Sequence, residues 1–393
     1  MATEPSVVSK PTRARAERLA LLTQTGAQTA MGQLLRKFWH PIVLSHSVQV
    51  GKAIRVRIFG ETLTLYRGKS GKAYLVGGQC AHRRTLLHTG WVEGENIRCM
   101  YHGWQYGSDG RCIDRPAERS SDPHRIKIPS YATHEYCGVV FVYLGAGEPP
   151  EFDLPRKERF EAPDTLIFTR SETWDCNWLQ NIENSLDPVH VSFAHQMGKV
   201  GAFGEAITGD VPELKYEETD SGICQMAIRP GNRVRVSDFT FPNYNHVMIP
   251  GPAPGDPWLD VGHWMVANDD GQTTRIAIFA APKTSPEVDK RLTEYFARVG
   301  SYKAADHHDE LFGGEYPADP LIELTSAQDY VAIMGQGRIA DHENEMLGQS
   351  DAGVARLRAI LWREMDALRQ GQPGKKWRRA EQALTPGGIE HVA

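Results

Sequence analysis

The sequence predicts an α+β protein, with a β-rich domain followed by a larger domain in which helices cover an antiparallel sheet. Residues 54–58 and 62–66 alternate between apolar and polar side chains on either side of Gly60-Glu61, which is typical of two antiparallel strands. Three later segments have the composition of further strands, and Asp269-Asp270-Gly271 supplies a hairpin turn between the last two. These segments are residues 222–236, 263–266 and 274–280.

The chain divides into an N-terminal tail with a helix, the β-rich domain and the larger domain, which cover residues 1–36, 37–147 and 148–393. The segment from Leu19 to Trp39 has the composition of an entry helix. An apolar run at residues 139–144 predicts a buried strand that closes the β-rich domain. Residues 148–164 are rich in proline and charge, which indicates a linker.

Two helices are predicted in the larger domain. Within residues 174–195 the apolar side chains of Leu179, Ile182 and Leu186 recur near helical spacing, so this segment should pack on the sheet. A second, amphipathic helix follows Ser350-Asp351. Its inward face consists of Val354, Leu357, Leu361, Met365 and Leu368.

Composition excludes several classes of protein. The 393 residues carry a net charge of −5 at pH 7, which gives no indication of nucleic-acid binding. No apolar run reaches the roughly 18 residues of a membrane span, and the N-terminus lacks the apolar stretch of a signal peptide. We therefore expect no membrane segment and a cytoplasmic location, where thiols stay reduced.

The most specific motif pairs one cysteine with one histidine twice, as Cys80-Ala81-His82 and as Cys99 with His102. Two thiolates on one iron and two imidazoles on the other are the ligands of a Rieske [2Fe–2S] cluster. A structural zinc site is the alternative, but zinc modules usually group two cysteines and then two histidines. The mixed pairs therefore favour an electron-transfer cluster.

A second motif places Asp187, His190 and His195 in the pattern DxxHxxxxH. Two imidazoles and one carboxylate on one face of a metal make an open iron(II) site. On a regular helix Asp187 and His190 share a face, whereas His195 lies about 140° away from His190. A π-bulge or a helix break is needed to bring His195 into the group. Asp187-Pro188 is also a good helix start, and each residue alone would be unremarkable.

These residues and their surroundings resemble the catalytic α subunit of the Rieske non-heme iron oxygenases, in particular the phthalate dioxygenase group with its aromatic O-demethylases. The resemblance extends over residues 29–45, 80–104 and 328–351. It implies a Rieske [2Fe–2S] cluster, a mononuclear Fe(II) and O2 as co-substrate. By this match Asp329, in Gln328-Asp329-Tyr330, completes the iron site with His190 and His195.

The resemblance also gives Asp187 a separate role as a carboxylate that bridges an iron-bound histidine and a cluster histidine of the neighbouring subunit. A head-to-tail homotrimer is then expected, because the cluster and the iron of one subunit are far apart in this family. Asn184 and Asn181 are candidates to support the ligands, and ordinary helix-surface polarity is an equally good explanation of both. No flavin or nicotinamide motif is present, so a separate reductase, with or without a ferredoxin, must deliver NAD(P)H electrons.

The activity that the resemblance implies is hydroxylation of a small aromatic substrate, with an aromatic acid favoured. Cis-dihydroxylation and monooxygenation, which at a methoxy carbon gives O-demethylation, both stay open. The alternative is a Rieske-type electron carrier without oxygenase activity, which would need fewer residues and no second metal. The predicted strands carry several polar or aromatic candidates to line a pocket, namely Arg229, Arg233, Arg235, Asn243, His246 and Trp264.

One departure from the family concerns the first cluster loop. Many relatives place glycine after the step that corresponds to Cys80-Ala81-His82-Arg83, and this chain has Arg84. The first cluster loop is therefore expected either to differ in backbone geometry or to present an extra positive charge to a redox partner.

Overall fold

The computed structural model describes residues 13–118, 122–152, 154, 157–195, 210–231, 233–300, 302–315 and 324–377. The strands that it describes form three antiparallel sheets, with six, four and seven strands. The helices are α1 Arg13–Thr23, α2 Ala30–Leu35, α3 Glu158–Glu161, α4 Trp178–Ser185, α5 Val189–Phe193, α6 Pro286–Val299, α7 His308–Phe312, α8 Leu324–Met334 and α9 Ala352–Arg369. The predicted α+β class, with a β-rich part followed by a sheet and helices, is confirmed.

The β-rich part contains a six-stranded sheet in the order β1-β10-β9-β4-β3-β2 and a small sheet in the order β5-β6-β7-β8. The larger sheet brings the first strand beside the last, because Trp39 pairs with Tyr143 across β1 and β10. The strands are β1 Trp39–Leu44, β2 Ala53–Ile58, β3 Glu61–Arg67, β4 Ala73–Gly77, β5 Trp91–Glu93, β6 Asn96–Arg98, β7 Gln105–Tyr106, β8 Cys112–Asp114, β9 Ser130–Tyr136 and β10 Val139–Tyr143.

The second part is built on a seven-stranded sheet in the order β11-β17-β16-β15-β14-β13-β12. Asp269 pairs with Gln272 at the start of the β16–β17 ladder, so the predicted hairpin turn at Asp270-Gly271 is confirmed. The strands are β11 Thr165–Trp174, β12 Glu213–Glu218, β13 Gly222–Arg229, β14 Arg233–Thr240, β15 Tyr244–Ile249, β16 Leu259–Asp269 and β17 Gln272–Pro282.

Three predicted elements differ from the structure. The helix predicted from Leu19 to Trp39 is wrong as one element: α1 ends at Thr23, and α2 starts anew because the Thr29 side chain accepts a hydrogen bond from the Gly32 backbone N–H. The predicted strand at residues 222–236 is two strands, β13 and β14. The predicted linker ends in the short helix α3.

The two parts of the chain share one hydrophobic core. The backbone N–H of Phe59 donates to the Ala267 carbonyl at 2.9 Å, and Phe141 meets Trp264 edge-on with ring centroids 5.4 Å apart. Helix α9 closes the second part, and most of its predicted apolar face is buried, including Leu357 and Leu361. Among the described residues no helix combines the length and the apolar composition required to cross a membrane.

Candidate metal centres

The Cys/His motif forms a surface site in which the sulfurs are buried and the imidazoles are not. Cys80 and Cys99 are each 2% exposed, whereas His82 is exposed and His102 is half-buried. The two imidazoles lie 4.5 Å apart between ring centroids, and His82 stacks on Trp104 at 4.8 Å. Electrons could therefore enter or leave through the histidine side.

The surroundings of the two thiols fit a bound cluster. The Tyr106 hydroxyl lies 3.1 Å from the Cys80 sulfur and also accepts a hydrogen bond from the Ala81 N–H. Burial raises the pKa of Cys99, and the neighbouring Cys80 raises it further. Two facing thiolates therefore need positive charge between them, which the irons of a cluster provide. Hydrogen bonds to sulfur also tune the reduction potential of such a cluster. Sequence reasoning missed Tyr106, although it lies four residues after His102.

The spacing of the four donors does not suit a single tetrahedral zinc ion. Such an ion would bring its donors to about 3.5 Å from one another. Among the described residues, three donor atoms within 4.8 Å of one another are found elsewhere, at His190, His195 and Asp329. The donor atoms of the Cys/His motif are thus farther apart than the ligands of one zinc ion, as a cluster of two irons requires.

Arg84 has the backbone conformation expected of a glycine. Its φ of +62° is in the left-handed region, and its N–H donates to the Cys80 carbonyl at 3.0 Å. This turn shapes the loop between Cys80 and Thr85, whose backbone groups are also hydrogen-bonded. The loop therefore keeps a glycine-type turn although the residue is arginine.

The second site brings together residues that are far apart in sequence. The Oδ1 atom of Asp329 on α8 lies 3.5 Å from Nε2 of His190 and 3.4 Å from Nε2 of His195. The two imidazole rings are 5.3 Å apart between centroids and nearly perpendicular. Three donor atoms thus face a common point, as the ligands of an open iron(II) site do.

The convergence depends on the end of α5 at Phe193, which leaves His195 just beyond the helix that carries His190. The sequence predicted either a π-bulge or a helix break at this spacing. Helix α4 ends at Ser185, and α5 runs only from Val189 to Phe193. Asp187 stabilises the restart, because its Oδ1 accepts a hydrogen bond from the Val189 N–H at 3.0 Å. Its other oxygen, Oδ2, lies 3.8 Å from Nδ1 of His190, behind the ring rather than among the three converging atoms.

Neighbouring side chains fix the orientation of these groups. Nδ1 of His195 lies 3.0 Å from Oε1 of Gln328, so the ring presents Nε2 towards Asp329. Asn184 donates a hydrogen bond to Asp329. The described contacts of Asn181 lie elsewhere, since its amide donates to Cys176 and to the Asn177 carbonyl. Sequence reasoning quoted Gln328 as part of a motif but gave it no role.

The charge states favour a bound cation. Burial raises the pKa of Asp329, but electrostatic interactions with His195, His190 and Arg275 and the hydrogen bond from Asn184 outweigh burial and lower it. Burial lowers the pKa of His195. An ionised carboxylate beside a neutral imidazole is the state that binds a metal. Oδ1 of Asp329 is also buried without a hydrogen-bond partner, so the residues fit an iron ion.

A cavity of about 230 Å³ opens onto this group of ligands and extends along the inner face of the seven-stranded sheet. The residues that line it include the three converging side chains and Asp187. Part of its sheet side is apolar, with Val247, Val261, Leu259 and Phe279.

Of the six pocket candidates from the sequence, Arg235 lines the cavity. His246 pairs with Asp260, and Asn243 donates to the Met265 carbonyl, so both belong to the sheet interior. Trp264 is part of the hydrophobic core, and Arg229 and Arg233 lie beyond the lining. Sequence reasoning missed several polar side chains of the lining that strand alternation alone does not single out, namely Gln225, Ser237, Asn245, His263 and Arg275.

The chain was compared with known proteins. Residues 38–132 match the family model described as Rieske [2Fe-2S] domain. The chain is 32% identical to the phenoxybenzoate dioxygenase subunit alpha of Ectopseudomonas oleovorans, over 89% of this chain and 85% of the relative. It is 29% identical to the 5,5'-dehydrodivanillate O-demethylase oxygenase subunit of a Sphingobium species, over 92% and 82%. The oxygenase in a ferredoxin complex of carbazole 1,9a-dioxygenase superposes with a TM-score of 0.64 at 19% identity, over 98% and 99%.

The fold and the curated relatives define an iron-dependent oxygenase component. More specifically, the chain belongs to the Rieske non-heme iron aromatic oxygenases, as a catalytic α subunit. Its cofactors are a Rieske cluster and a mononuclear iron, and O2 is its co-substrate. The alternative of an electron carrier without oxygenase activity is wrong, because the relatives that match almost the whole chain are oxygenase subunits.

Proposed function

We propose that this chain is the terminal component of a multi-component oxygenase and hydroxylates a small aromatic compound held in the cavity beside His190, His195 and Asp329. The convergence of these three side chains at the cavity is the observation that supports the proposal most directly. Cys80, His82, Cys99 and His102 hold the cluster, and His190, His195 and Asp329 hold the iron. When bound, the two metal centres supply electrons for the reduction of O2.

The protein side chains provide position and shielding. Gln328 and Asn184 hold His195 and Asp329 in the orientation that ligation requires. The apolar lining excludes water and orients the substrate carbon that is attacked. The names of the relatives include a dioxygenase and an O-demethylase, so both ring dihydroxylation and removal of a methyl group are proposed as outcomes.

Electrons reach the chain from a separate reductase, directly or through a ferredoxin, at the expense of NAD(P)H. Two observations support this: the sequence has no nicotinamide or flavin motif, and a protein of the same fold has been solved with a ferredoxin. The imidazole of His82 is exposed and offers a point of entry. No disulfide joins the described cysteines, which suits the reducing cytoplasm as the working compartment.

The working assembly is a head-to-tail homotrimer in which Asp187 links the iron site of one chain to the cluster of the next. The side chain of Asp187 is 29% exposed, so a neighbouring chain can reach it, and it already lies behind His190. Its carboxylate would fix the orientation of both imidazoles and provide a hydrogen-bonded path between the metals.

Metal analysis of the purified wild type tests the ligand assignment. The expected content is about three irons and two acid-labile sulfides per chain, with negligible zinc. Asp329→Ala should lose the isolated iron and keep the red-brown colour of the cluster. The control Asp220→Ala removes an exposed carboxylate and should keep all three irons. Undiminished iron in Asp329→Ala would mean that the carboxylate ligand lies elsewhere.

Turnover is tested with a surrogate reductase and a panel of benzoates, phthalates and methoxybenzoates, by product analysis and O2 consumption. Substrate-dependent O2 uptake with a hydroxylated or demethylated product is expected for the wild type. Asp329→Ala should give neither. Product formation that survives loss of the isolated iron would contradict the proposed role of the second site.

A further inference from the structure

The cavity contains a polar corner built by two neighbouring strands. On β14, Arg235 and Ser237 point to the cavity side of the sheet, and on β13 Gln225 lies directly opposite Ser237. The residue opposite Arg235 is Ala227, whose small side chain leaves the guanidinium room. Asn245 on β15 also lines this corner.

The positive charge of Arg235 has no ion-pair partner among the described residues. Its Nε is buried and makes no hydrogen bond. The nearby Arg229 adds a second positive charge instead of compensating the first. Burial lowers the pKa of Arg235 to about 10, which still leaves it protonated at neutral pH. The other two cavity arginines differ, since Arg170 pairs with Glu172 and Arg275 is close to acidic groups.

The amides beside Arg235 are also unsatisfied. Oε1 of Gln225 and Oδ1 of Asn245 are buried without hydrogen-bond partners, and these residues are 3% and 6% exposed. A carboxamide can present either its NH2 group or its oxygen to a ligand. The guanidinium is half-buried with a buried Nε, so its charge is only partly solvated and is unfavourable without a partner. An anionic ligand would give both the guanidinium and the amides the partners that they lack.

The remainder of the cavity limits what can bind. Further along the same sheet the lining is apolar, with Val247, Val261 and Phe279. A cavity of about 150 Å³ holds one benzene ring, so about 230 Å³ leaves room for one ring with small substituents. Arg235 is close enough to the iron-site ligands for its charge to act on His195. A ring anchored at Arg235 would therefore lie beside the iron site.

We propose that Arg235, assisted by Gln225 and Asn245, binds the carboxylate of a single-ring aromatic acid and thereby selects anionic substrates. This inference rests on the proposed function, because the same cavity must hold the molecule that is oxygenated. A planar carboxylate matches the forked donors of a guanidinium, and the bidentate pair fixes direction as well as charge. The acid group therefore decides which ring carbon faces the iron.

The test compares an acid with its neutral amide on the metal-loaded protein. The probes are 3-methoxybenzoate and 3-methoxybenzamide, with benzoate and phthalate as further acids, and calorimetry measures their dissociation constants. We expect the wild type to bind the acid at least about tenfold more tightly than the amide. Arg235→Gln should remove this preference and leave amide binding unchanged, and Arg235→Lys should restore part of it.

Arg233→Gln is the matched control. Arg233 lies two residues earlier on the same strand, outside the cavity lining, and it has a partner in Asp210 at 3.8 Å. This variant should keep the preference for the acid. The thermal stability of Arg235→Gln should not be lower than that of the wild type, because the substitution removes an unpaired, half-buried charge.

The proposal is overturned if the wild type binds acid and amide equally, if Arg235→Gln binds the acid as the wild type does, or if none of the acids binds at millimolar concentration. The comparison of acid and amide binding uses the wild type alone, so it tests the proposal even if the variants fold poorly. Hydroxylation of the amide at the same rate as the acid would contradict the proposed carboxylate-binding role of Arg235. The proposed oxygenase function would be unaffected. Tight binding of the acid without any turnover would support the carboxylate-binding role of Arg235 and contradict the proposed oxygenase function.

Discussion

At the scale of single residues, the structure gives Gln328 a positioning role towards His195. Replacing Gln328 by leucine removes the acceptor for Nδ1 of His195, so the ring is free to rotate or to change tautomer. Loss of such a supporting contact typically weakens metal binding about 10- to 100-fold. Competition of cluster-loaded protein with a chromogenic ferrous chelator measures this affinity. Gln328→Glu keeps an acceptor oxygen and should retain most of it; equal iron affinity in Gln328→Leu would mean that the contact is unimportant.

Arg84 offers a second residue-scale prediction. A left-handed backbone conformation destabilises the folded state by about 1–2 kcal/mol for a residue other than glycine. Glycine avoids this cost, but its greater freedom in the unfolded chain lowers stability by about 0.5–1 kcal/mol. Arg84→Gly should therefore stabilise the loop by about 0.5–1 kcal/mol. Loss of visible absorbance at a fixed elevated temperature should then slow about two- to fivefold.

The control for this prediction is Arg83→Gly, because Arg83 is the adjacent exposed arginine and is not among the positive-φ residues. Glycine there adds flexibility without relieving strain, so the cluster should be lost at the same rate or faster. Bleaching that slows equally in both variants would point to a charge effect rather than to the backbone.

Sequence reasoning went furthest where ligands are close together in the chain. Cys80 with His82, and His190 with His195, are local pairs whose spacing carries chemical meaning. Asp329 was identified as a candidate ligand only through the family resemblance, because its distance from the two histidines depends on where α8 packs in the folded chain. Gln225 was missed for a similar reason, because the sequence alone does not show which face of the assembled sheet a polar strand residue occupies.

At the scale of elements, a buried ion-pair network holds α4 against α9. Arg358 donates to both oxygens of Glu183, with Nε–Oε1 at 2.5 Å and Nη2–Oε2 at 2.9 Å, and it also contacts Glu345. Burial raises the pKa of Glu183, and Arg358 opposes that rise. Since α4 carries Asn184, the network also supports the iron site.

Arg358→Met should destabilise the protein by about 3 kcal/mol or more, because Glu183 is left as an uncompensated buried charge. The folded-state pKa of Glu183 then rises further. An acid whose pKa is raised by folding destabilises the fold increasingly as pH increases, so the deficit should be larger at pH 8 than at pH 6. Denaturant unfolding at both pH values measures it.

The double variant Glu183→Gln/Arg358→Met removes both charges and is the control. It should regain part of the lost stability and show little of the added pH dependence, since no isolated carboxylate remains at Glu183. A double variant as unstable as the single one would assign the effect to lost packing of the arginine side chain.

Element prediction succeeded where a local signal was strong. The spacing of His190 and His195 predicted a π-bulge or a helix break, and the break is confirmed because α5 ends at Phe193, before His195. The single helix from Leu19 to Trp39 was wrong because its apolar residues suit a helix, while the hydrogen bond at Thr29 that starts α2 is a competing local signal. Trp39 then enters β1, whose partner β10 lies about a hundred residues away.

At the scale of the whole molecule, the β-rich part and the large sheet share one core, so a single chain holds its cluster and its iron site in fixed relation. The proposed electron path runs between chains instead, through Asp187. In a directed ring of three, each cluster serves the iron of one neighbour only. That arrangement makes a quantitative prediction for mixed assemblies.

Two variants that are each inactive should rescue one another inside one ring. Cys99→Ser lacks the cluster and keeps the iron ligands, whereas Asp329→Ala has the opposite defect. In any mixed trimer only one junction passes from an intact cluster to an intact iron site, so doubly tagged trimers should show about one third of wild-type turnover. Asp187→Asn in the Cys99→Ser chain should abolish the rescue, and in the Asp329→Ala chain it should leave the rescue intact. Mixed trimers without activity would mean that electrons stay within one chain.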